Sequence, residues 1–139
     1  MGADCSVKPL KYNVLFVCLG NICRSPSAEA VFCSKIKDAG LCSEVSCDSA
    51  GIIGMHSGQP ADSRMRLHAS KRGFRLDSIS RKVVPEVDFD MFDLIVAMDD
   101  ANVHDLKQLT RKPEHLAKIR KMTDFSTISG YSEVPDPYY

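Results

Sequence analysis

Apolar runs alternate along the chain with amphipathic stretches, and this alternation predicts the secondary structure. The nearly unbroken apolar run at 12–18 is typical of a strand that is covered on both faces of a parallel sheet. Comparable runs predict strands at 45–49 and 92–99, and shorter runs at 82–84 and 118–122 are weaker strand candidates. The strands are therefore spread over most of the chain, with room for a helix between successive strands.

The intervening stretches carry helix signals. Ser25 is a good N-cap and Pro26 suits a first helical turn, so we predict a helix from Pro26 that ends near Gly40. Two further helices are predicted over 62–72 and 100–109. Alternating strands and helices predict a doubly wound α/β fold, with a four-stranded, mainly parallel sheet between two helical layers, as in flavodoxin-like and Rossmann-like sandwiches.

Composition narrows this picture. The chain has 139 residues, 44% of them hydrophobic, and its 18 basic and 18 acidic residues cancel. We expect a loose leader at 1–11, one domain at 12–139, no membrane span and no nucleic-acid partner. Six cysteines without zinc-ligand spacing predict reduced thiols, no metal site and a cytoplasmic location. The four histidines are expected at the surface.

The chemistry concentrates in the stretch "VLFVCLGNICRSPSAEA", residues 14–30. Cys18 ends the first predicted strand, at the sheet edge where doubly wound folds bind ligands. Backbone amides of the loop and the N-terminus of the following helix favour an anion, and Arg24 offers a planar fork for two phosphate oxygens. The same donors stabilise a thiolate, and the Ser25 hydroxyl could add a hydrogen bond. The sequence thus predicts that a Cys18 thiolate attacks a bound phosphate.

Such a reaction needs an acid for the leaving oxygen, and the stretch "VPDPYY" supplies a candidate. Asp136 lies between two prolines that hold the backbone extended. We expect Asp136 to act as the general acid. Tyr138 and Tyr139 are expected to form an aromatic slot above the phosphate.

These residues resemble the low-molecular-weight protein tyrosine phosphatase family. The similarity covers roughly 12–139 and includes Cys-x5-Arg-Ser, "DSAG" at 48–51, "FDLIVAMDDAN" at 92–102 and the distal Asp-Pro-Tyr-Tyr. The resemblance implies a phosphoric monoester hydrolase that acts on phosphotyrosine proteins or small aryl phosphates, with acid phosphatase activity as a further expectation. It implies no cofactor, and it implies that inorganic phosphate and other oxyanions inhibit.

The resemblance also implies residue roles. Cys18 would be the nucleophile that carries a phosphocysteine intermediate, Arg24 the phosphate clamp, and Asp136 first the acid and then the base for water. Hydrogen bonds of Asn21, Ser25 and Ser49 would fix the loop, with Asn21 in a left-handed conformation. Asp99 ends a predicted strand on the ligand side of the sheet, and from that position we expect it to orient Arg24 or the loop, or to cap a helix. The residues expected to bind substrate are Leu19, Gly20, Asn21, Ile22, Cys23, Ser25, Met55, Tyr138 and Tyr139.

Cys23 resembles the family's redox partner, which would trap an oxidised Cys18 as a reversible disulfide. Three departures from the family pattern stand out. Met55, or else His56, occupies a region where a large aromatic often lines the cleft, and Ser78 lies near the position of a histidine that often supports the loop asparagine. Family members usually carry one more helix after the Asp-Pro-Tyr-Tyr stretch, whereas this sequence stops at Tyr139, so we expect the physiological chain to be longer.

Rival functions use similar loops. Arsenate reductases of a related fold need further cysteines downstream, and none follows Cys47. Protein arginine phosphatases tend to have threonine at the position of Ile22, so Ile22 favours phosphotyrosine. A non-catalytic phosphopeptide-binding module would need neither the thiol nor the acid, and both are present.

Overall fold

A computed structural model describes residues 11–126 and Val134 of the chain. Most of the predicted leader, together with Asp136, Tyr138 and Tyr139, lies outside the described residues. Lys11, the one residue of that leader which is described, is buried.

Within the described residues, four strands form one sheet. They are β1 (Tyr12–Cys18), β2 (Val45–Gly51), β3 (Leu94–Ala97) and β4 (Ile119–Lys121), in the spatial order β2-β1-β3-β4. Every strand pair in this sheet is parallel. The prediction of a doubly wound α/β fold is therefore confirmed, and because chain direction is shared, the carboxyl ends of β1 and β2 meet at one edge.

Helices cover both faces of the sheet. In chain order they are α1 (Arg24–Asp38), α2 (Ser63–Lys71), α3 (Pro85–Met91), α4 (Asp100–Lys107) and α5 (Pro113–Leu116), followed by a 3-10 turn at Met122–Phe125. Residues alternate in β1, so Leu15 and Val17 face the layer that contains Phe89 and Leu106. Val14 and Phe16 face α1 instead. The sheet is therefore buried on both sides, as its apolar runs predicted.

Two local predictions of secondary structure were wrong, and two short helices were missed. Helix α1 begins at Arg24, and its N-cap is Cys23 rather than Ser25, because the Ser25 hydroxyl is engaged with the cysteine loop. The segment 82–84 forms no regular strand, since Lys82 makes only an isolated parallel bridge to Gly51. Helices α3 and α5 were not predicted, although each starts with proline followed by glutamate, a common first turn.

The prediction that all four histidines lie at the surface was wrong for His56 and His115, which are buried. The His115 ring stacks on Phe89 with ring centroids 5.3 Å apart. Its two nitrogens lie 2.7 Å from an Asp90 carboxylate oxygen and 2.9 Å from the Thr110 hydroxyl. A polar ring with both nitrogens satisfied can be buried at little cost, and here it ties α3 to α5.

Candidate active site

The candidate site begins where β1 ends. Cys18 is the last residue of β1, and the loop 19–23 connects it to α1. Gly51, at the end of β2, packs against this loop so closely that a β-carbon would lie 3.0 Å from the Leu19 carbonyl oxygen and the Gly20 carbonyl carbon. A side chain at this position would therefore push on the backbone of the loop, so glycine allows the "DSAG" stretch to pack directly against it.

The Cys18 thiol is buried and lies among hydrogen-bond donors. The Asn21 backbone N–H donates to the Cys18 Sγ at 3.2 Å, and the Ser25 Oγ lies 3.0 Å from the same sulfur. Asn21 has φ of 57° and is the only non-glycine residue with positive φ among those described. Asparagine tolerates this left-handed conformation, and in it the backbone N–H of Asn21 points toward the Cys18 sulfur.

The Asn21 side chain organises the loop. Its Nδ2 donates to the Ser25 Oγ at 2.8 Å and to the Ser49 Oγ at 2.9 Å. Its Oδ1 accepts the Arg81 backbone N–H at 3.0 Å. Both amide hydrogens and the oxygen are used, so the orientation of the amide group is fixed. Since Ser25 accepts from Asn21, its own hydroxyl hydrogen is available to the sulfur.

Glu29 ends this chain of hydrogen bonds. The Ser49 hydroxyl, which accepts from Asn21, donates to the Glu29 Oε1 at 2.6 Å. Burial in α1 raises the pKa of the Glu29 carboxyl, and the nearby Asp48 carboxylate raises it further, while the Ser49 hydrogen bond lowers it. A partly buried carboxyl therefore sets the direction of hydrogen bonds that lead, through Ser49, Asn21 and Ser25, to the thiol.

Arg24 is buried and held from two sides. Its Nη1 donates to the Asp99 Oδ2 at 2.7 Å and to the Val134 carbonyl oxygen at 2.8 Å. The Asp99 Oδ1 accepts the Asn102 N–H at 2.8 Å, so Asp99 both caps α4 and contacts Arg24. The two alternatives that the sequence left open for Asp99 thus occur together. A guanidinium in fixed contacts loses little freedom when it binds an anion.

The residues predicted to line the rim of the site differ in their exposure. Ile22 and Cys23 are buried, Leu19 is half-buried, and Met55 is exposed. The Ile53 N–H donates to the Leu19 carbonyl at 3.0 Å, which ties the segment carrying Met55 to the loop. The predicted rim residues Tyr138 and Tyr139 lie outside the described residues.

Sequence reasoning missed two contributors. Ser80 donates from its hydroxyl to the Gly20 carbonyl oxygen at 3.1 Å, and Glu29 lies behind Ser49. The signal for Glu29 was an acidic residue next to the apolar stripe of a predicted helix. No comparable signal marks Ser80, because its role depends on a loop that approaches from 60 positions away.

We expect Ser25→Ala to slow alkylation of Cys18 by iodoacetamide at neutral pH by roughly five- to tenfold, the value of one hydrogen bond to the reacting sulfur. Rates are measured by mass spectrometry of the Cys18 peptide. Ser27→Ala is the matched control, because the Ser27 hydroxyl donates to the Cys23 carbonyl at 2.7 Å and not to the thiol. Equal rates in the two variants would contradict this role for Ser25.

We expect Glu29→Gln to change how stability depends on pH. The pKa of Glu29 is higher in the folded protein than its usual value of 4.5, so ionisation costs the folded state more than the unfolded state. The wild type therefore loses stability as pH rises from about 4.5 through the folded pKa. The variant does not ionise at this position, so its stability relative to the wild type increases over that interval and stays higher above it. Thermal midpoints from pH 4 to pH 8 test this.

The control for this comparison is Glu44→Gln, since Glu44 is exposed. That control is expected to show no such interval. If Glu29→Gln paralleled the wild type at every pH, the proposed burial of the Glu29 carboxyl would be wrong.

Among residues 11–126, no group of three or more His, Cys, Asp or Glu side chains is arranged to hold a metal ion. None of the helices in this range is both long and apolar enough to cross a membrane.

A thiol at the carboxyl end of a central parallel strand, beside a buried arginine at a helix N-terminus, is typical of α/β proteins that bind an oxyanion against a cysteine. Comparison with known proteins gives the family. The family model for the low molecular weight phosphotyrosine protein phosphatase matches residues 13–139. The chain therefore belongs to the low molecular weight phosphotyrosine protein phosphatase family, as its sequence pattern predicted.

Individual relatives agree with this assignment. Over 132 residues the chain is 41% identical to a low molecular weight protein-tyrosine-phosphatase of Streptomyces coelicolor, covering 94% of this chain and 80% of the relative. It is 37% identical over 128 residues to the human low molecular weight phosphotyrosine protein phosphatase, covering 91% and 80%. A crystal structure of a protein tyrosine phosphatase from Entamoeba histolytica, with Hepes in the active site, superposes with a TM-score of 0.88 at 50% identity, covering 93% of this chain and 81% of that one.

Proposed function

We propose that this protein hydrolyses phosphotyrosine and related aryl phosphate monoesters through a phosphocysteine intermediate on Cys18. The observation that carries this proposal is the arrangement of the Cys18 thiol, which has the Asn21 N–H and the Ser25 hydroxyl within 3.2 Å and 3.0 Å. These donors stabilise a thiolate at the end of β1, and the buried Arg24 supplies the charge for a phosphate dianion.

In the first step the Cys18 thiolate attacks phosphorus in line with the bond to the aryl oxygen. The S–P bond forms as the P–O bond breaks, and a proton from the Asp136 carboxyl neutralises the leaving oxygen to give the free phenol. Arg24 and the loop amides hold the equatorial oxygens, where charge must be stabilised. In the second step the Asp136 carboxylate takes a proton from water as the water oxygen attacks phosphorus. Phosphate and the thiolate are released.

The assignment of Asp136 draws on a neighbouring contact. Val134, two residues before Asp136, donates its N–H to the Met98 carbonyl and accepts from Arg24. Two residues of chain span at most about 7 Å, so this contact of Val134 supports the assignment of Asp136 as the acid.

Phosphate-like inhibitors are expected from the same chemistry. The related Entamoeba histolytica enzyme holds Hepes, a sulfonate, in its active site, and we infer that phosphate and other oxyanions occupy the Cys18 loop here and inhibit. The reaction requires a reduced Cys18, and a reducing compartment such as the cytoplasm supplies that condition.

The proposal is tested with matched peptides that carry phosphotyrosine, phosphoserine or phosphoarginine at one position. We expect phosphotyrosine to be hydrolysed with the highest kcat/KM, and inorganic phosphate to inhibit competitively. Preference for the phosphoarginine peptide would favour the arginine phosphatase alternative and would contradict the interpretation of Ile22. Binding of the phosphotyrosine peptide without turnover would favour the non-catalytic module. Arsenate reduction coupled to thiol oxidation, without phosphate release from any peptide, would favour the reductase.

We expect Asp136→Asn to lower kcat for phosphotyrosine by about a hundredfold or more, because the amide cannot protonate the leaving oxygen. The loss is expected to be smaller for a dinitrophenyl phosphate, whose leaving group departs without a proton. Steady-state rates for the two substrates provide the measurement. The control is Asp77→Asn, an exposed aspartate that pairs with Arg75. An equal loss for both substrates would indicate that Asp136 does not act as the acid.

A further inference from the structure

Two polar pairs connect α1 to β2, one behind the other. Glu29 on α1 contacts Ser49 on β2, and Cys33 on α1 contacts Cys47 on β2. Because α1 connects two parallel strands, it runs antiparallel to them. From Glu29 to Cys33 the helix advances four residues, about 6 Å, and from Ser49 back to Cys47 the strand covers two residues, about 6.6 Å. The two cysteines therefore lie opposite each other, one step along from the Glu29–Ser49 pair. The two cysteines thus face each other because of the packing of α1 on β2.

The two thiols interact directly. The Cys47 Sγ lies 3.8 Å from the Glu29 carbonyl oxygen, one helical turn before Cys33 on α1, so the two thiols lie close together. Interaction with the Cys47 thiol lowers the pKa of Cys33, with help from the Lys37 ammonium one turn later, against opposing effects of burial and of Glu29. The same contact raises the pKa of Cys47, and burial raises it further. The Lys37 ammonium on the same face of α1 therefore favours a thiolate at Cys33.

Cys33 is also within reach of small molecules from solvent. It is half-buried and lines an open cavity of about 480 Å³ between α1 and the segment 73–78. Lys37 and Arg75 line the same cavity. Cys18 and Cys23, by contrast, are both buried, and neither lines this cavity.

We propose that Cys33 and Cys47 form a peroxide-sensitive dithiol, separate from the cysteine loop, which closes into a disulfide that covalently joins α1 to β2. The Cys33 thiolate attacks one oxygen of hydrogen peroxide, the O–O bond breaks, and hydroxide leaves, so that Cys33 becomes a sulfenic acid. The Cys47 sulfur then attacks the Cys33 sulfur. The S–O bond breaks, and the hydroxide departs as water with the Cys47 proton. The two thiols lose two electrons, and one peroxide becomes two waters.

The disulfide would join the helix and the strand that support the phosphate loop. The hydrogen-bond chain from Glu29 through Ser49 to Asn21 crosses between the same two elements. The closed covalent loop contains the α1–β2 connection, including Gly40, whose φ is +70°. Restricting this connection in the unfolded chain is expected to stabilise the folded protein.

The test uses the Cys18→Ser variant, in which a Cys18–Cys23 disulfide is impossible, treated with a few equivalents of hydrogen peroxide. We expect mass spectrometry of non-reduced peptides to find a Cys33–Cys47 link, and dithiothreitol to reverse it. The linked protein should unfold at a Tm higher by roughly 5 °C than its reduced form. Adding Cys33→Ser or Cys47→Ser should abolish both the link and the Tm shift.

Cys42→Ala is the matched control, because Cys42 lies in the same α1–β2 connection and is a buried free thiol. This variant should retain the link, and circular dichroism confirms that each variant is folded. The proposal is overturned if Cys33 and Cys47 both remain alkylatable, or if Cys33 advances to sulfinic acid without a link. Pairing of Cys47 with Cys42 or Cys5 would overturn it equally, as would a cross-linked protein whose Tm does not rise. The outcome does not depend on phosphatase activity, so it is separable from the proposed function.

Discussion

Cys18→Ser is expected to lower kcat for aryl phosphate hydrolysis by at least about ten-thousandfold, the scale seen when a covalent nucleophile is removed. A serine hydroxyl stays protonated at neutral pH, and the donors around the Cys18 sulfur are arranged for a thiolate. Neither the Ser25 hydroxyl nor the Asn21 N–H can act as a base that would activate the new hydroxyl. The measurement is steady-state release of a phenol, with a detection limit set by the enzyme-free rate.

The same variant separates catalysis from binding. The loop amides and Arg24 are unchanged, so inorganic phosphate should still bind with an affinity within a few-fold of the wild type, as measured by calorimetry. Cys42→Ala is the control for a buried thiol far from the loop, and it should retain wild-type turnover. Substantial turnover by the Cys18→Ser variant would rule out a phosphocysteine intermediate. Loss of phosphate binding together with turnover would instead indicate a collapsed loop.

The fold was predictable where one local signal was sufficient. The apolar run of β1 lies in the sheet centre, where both faces are covered, so its pattern was unambiguous. Helices α3 and α5 are short, and the proline at the first position of each is also compatible with the end of a preceding segment. Their stability comes from tertiary contacts such as the stacking of Phe89 on His115, and a single-sequence pattern does not report such contacts.

The candidate site also contains residues that could be identified from the sequence and residues that only the structure showed. Residues 18–25 are contiguous and their chemistry is legible from spacing, so the thiol, the asparagine and the arginine could be identified from the chain alone. The partners of that loop come from distant segments: Ser49 from β2, Arg81 from the turn before α3, and Asp99 from the start of α4. Resemblance supplied Ser49, and the position of Asp99 at the end of a predicted strand suggested its role. Glu29 and Ser80 required the structure, because each acts through a neighbour and not on the ligand.

Arg24→Lys is expected to lower kcat/KM for phosphotyrosine by about a hundredfold to a thousandfold, the range found when a donor to developing negative charge is removed. The positive charge is kept, so the loss would come from geometry. Arg24 donates from Nη1 to the Asp99 carboxylate and to the Val134 carbonyl, and these contacts fix the plane of the guanidinium beside the cysteine loop. A lysine ammonium is a point charge that cannot hold two oxygens in a plane and contact Asp99 at the same time.

Inhibition by inorganic phosphate shows whether Arg24→Lys weakens binding in the ground state as well as in the transition state. If Arg24 binds phosphate in the ground state as well as the transition state, the inhibition constant should rise by at least about tenfold while kcat also falls. Arg64→Lys is the control, because Arg64 is an exposed arginine that pairs with Asp62 near the start of α2. Wild-type kinetics in the Arg24→Lys variant would mean that charge alone suffices at this position. The planar guanidinium would then not be needed to hold two phosphate oxygens, and the geometric role assigned to Arg24 would be wrong.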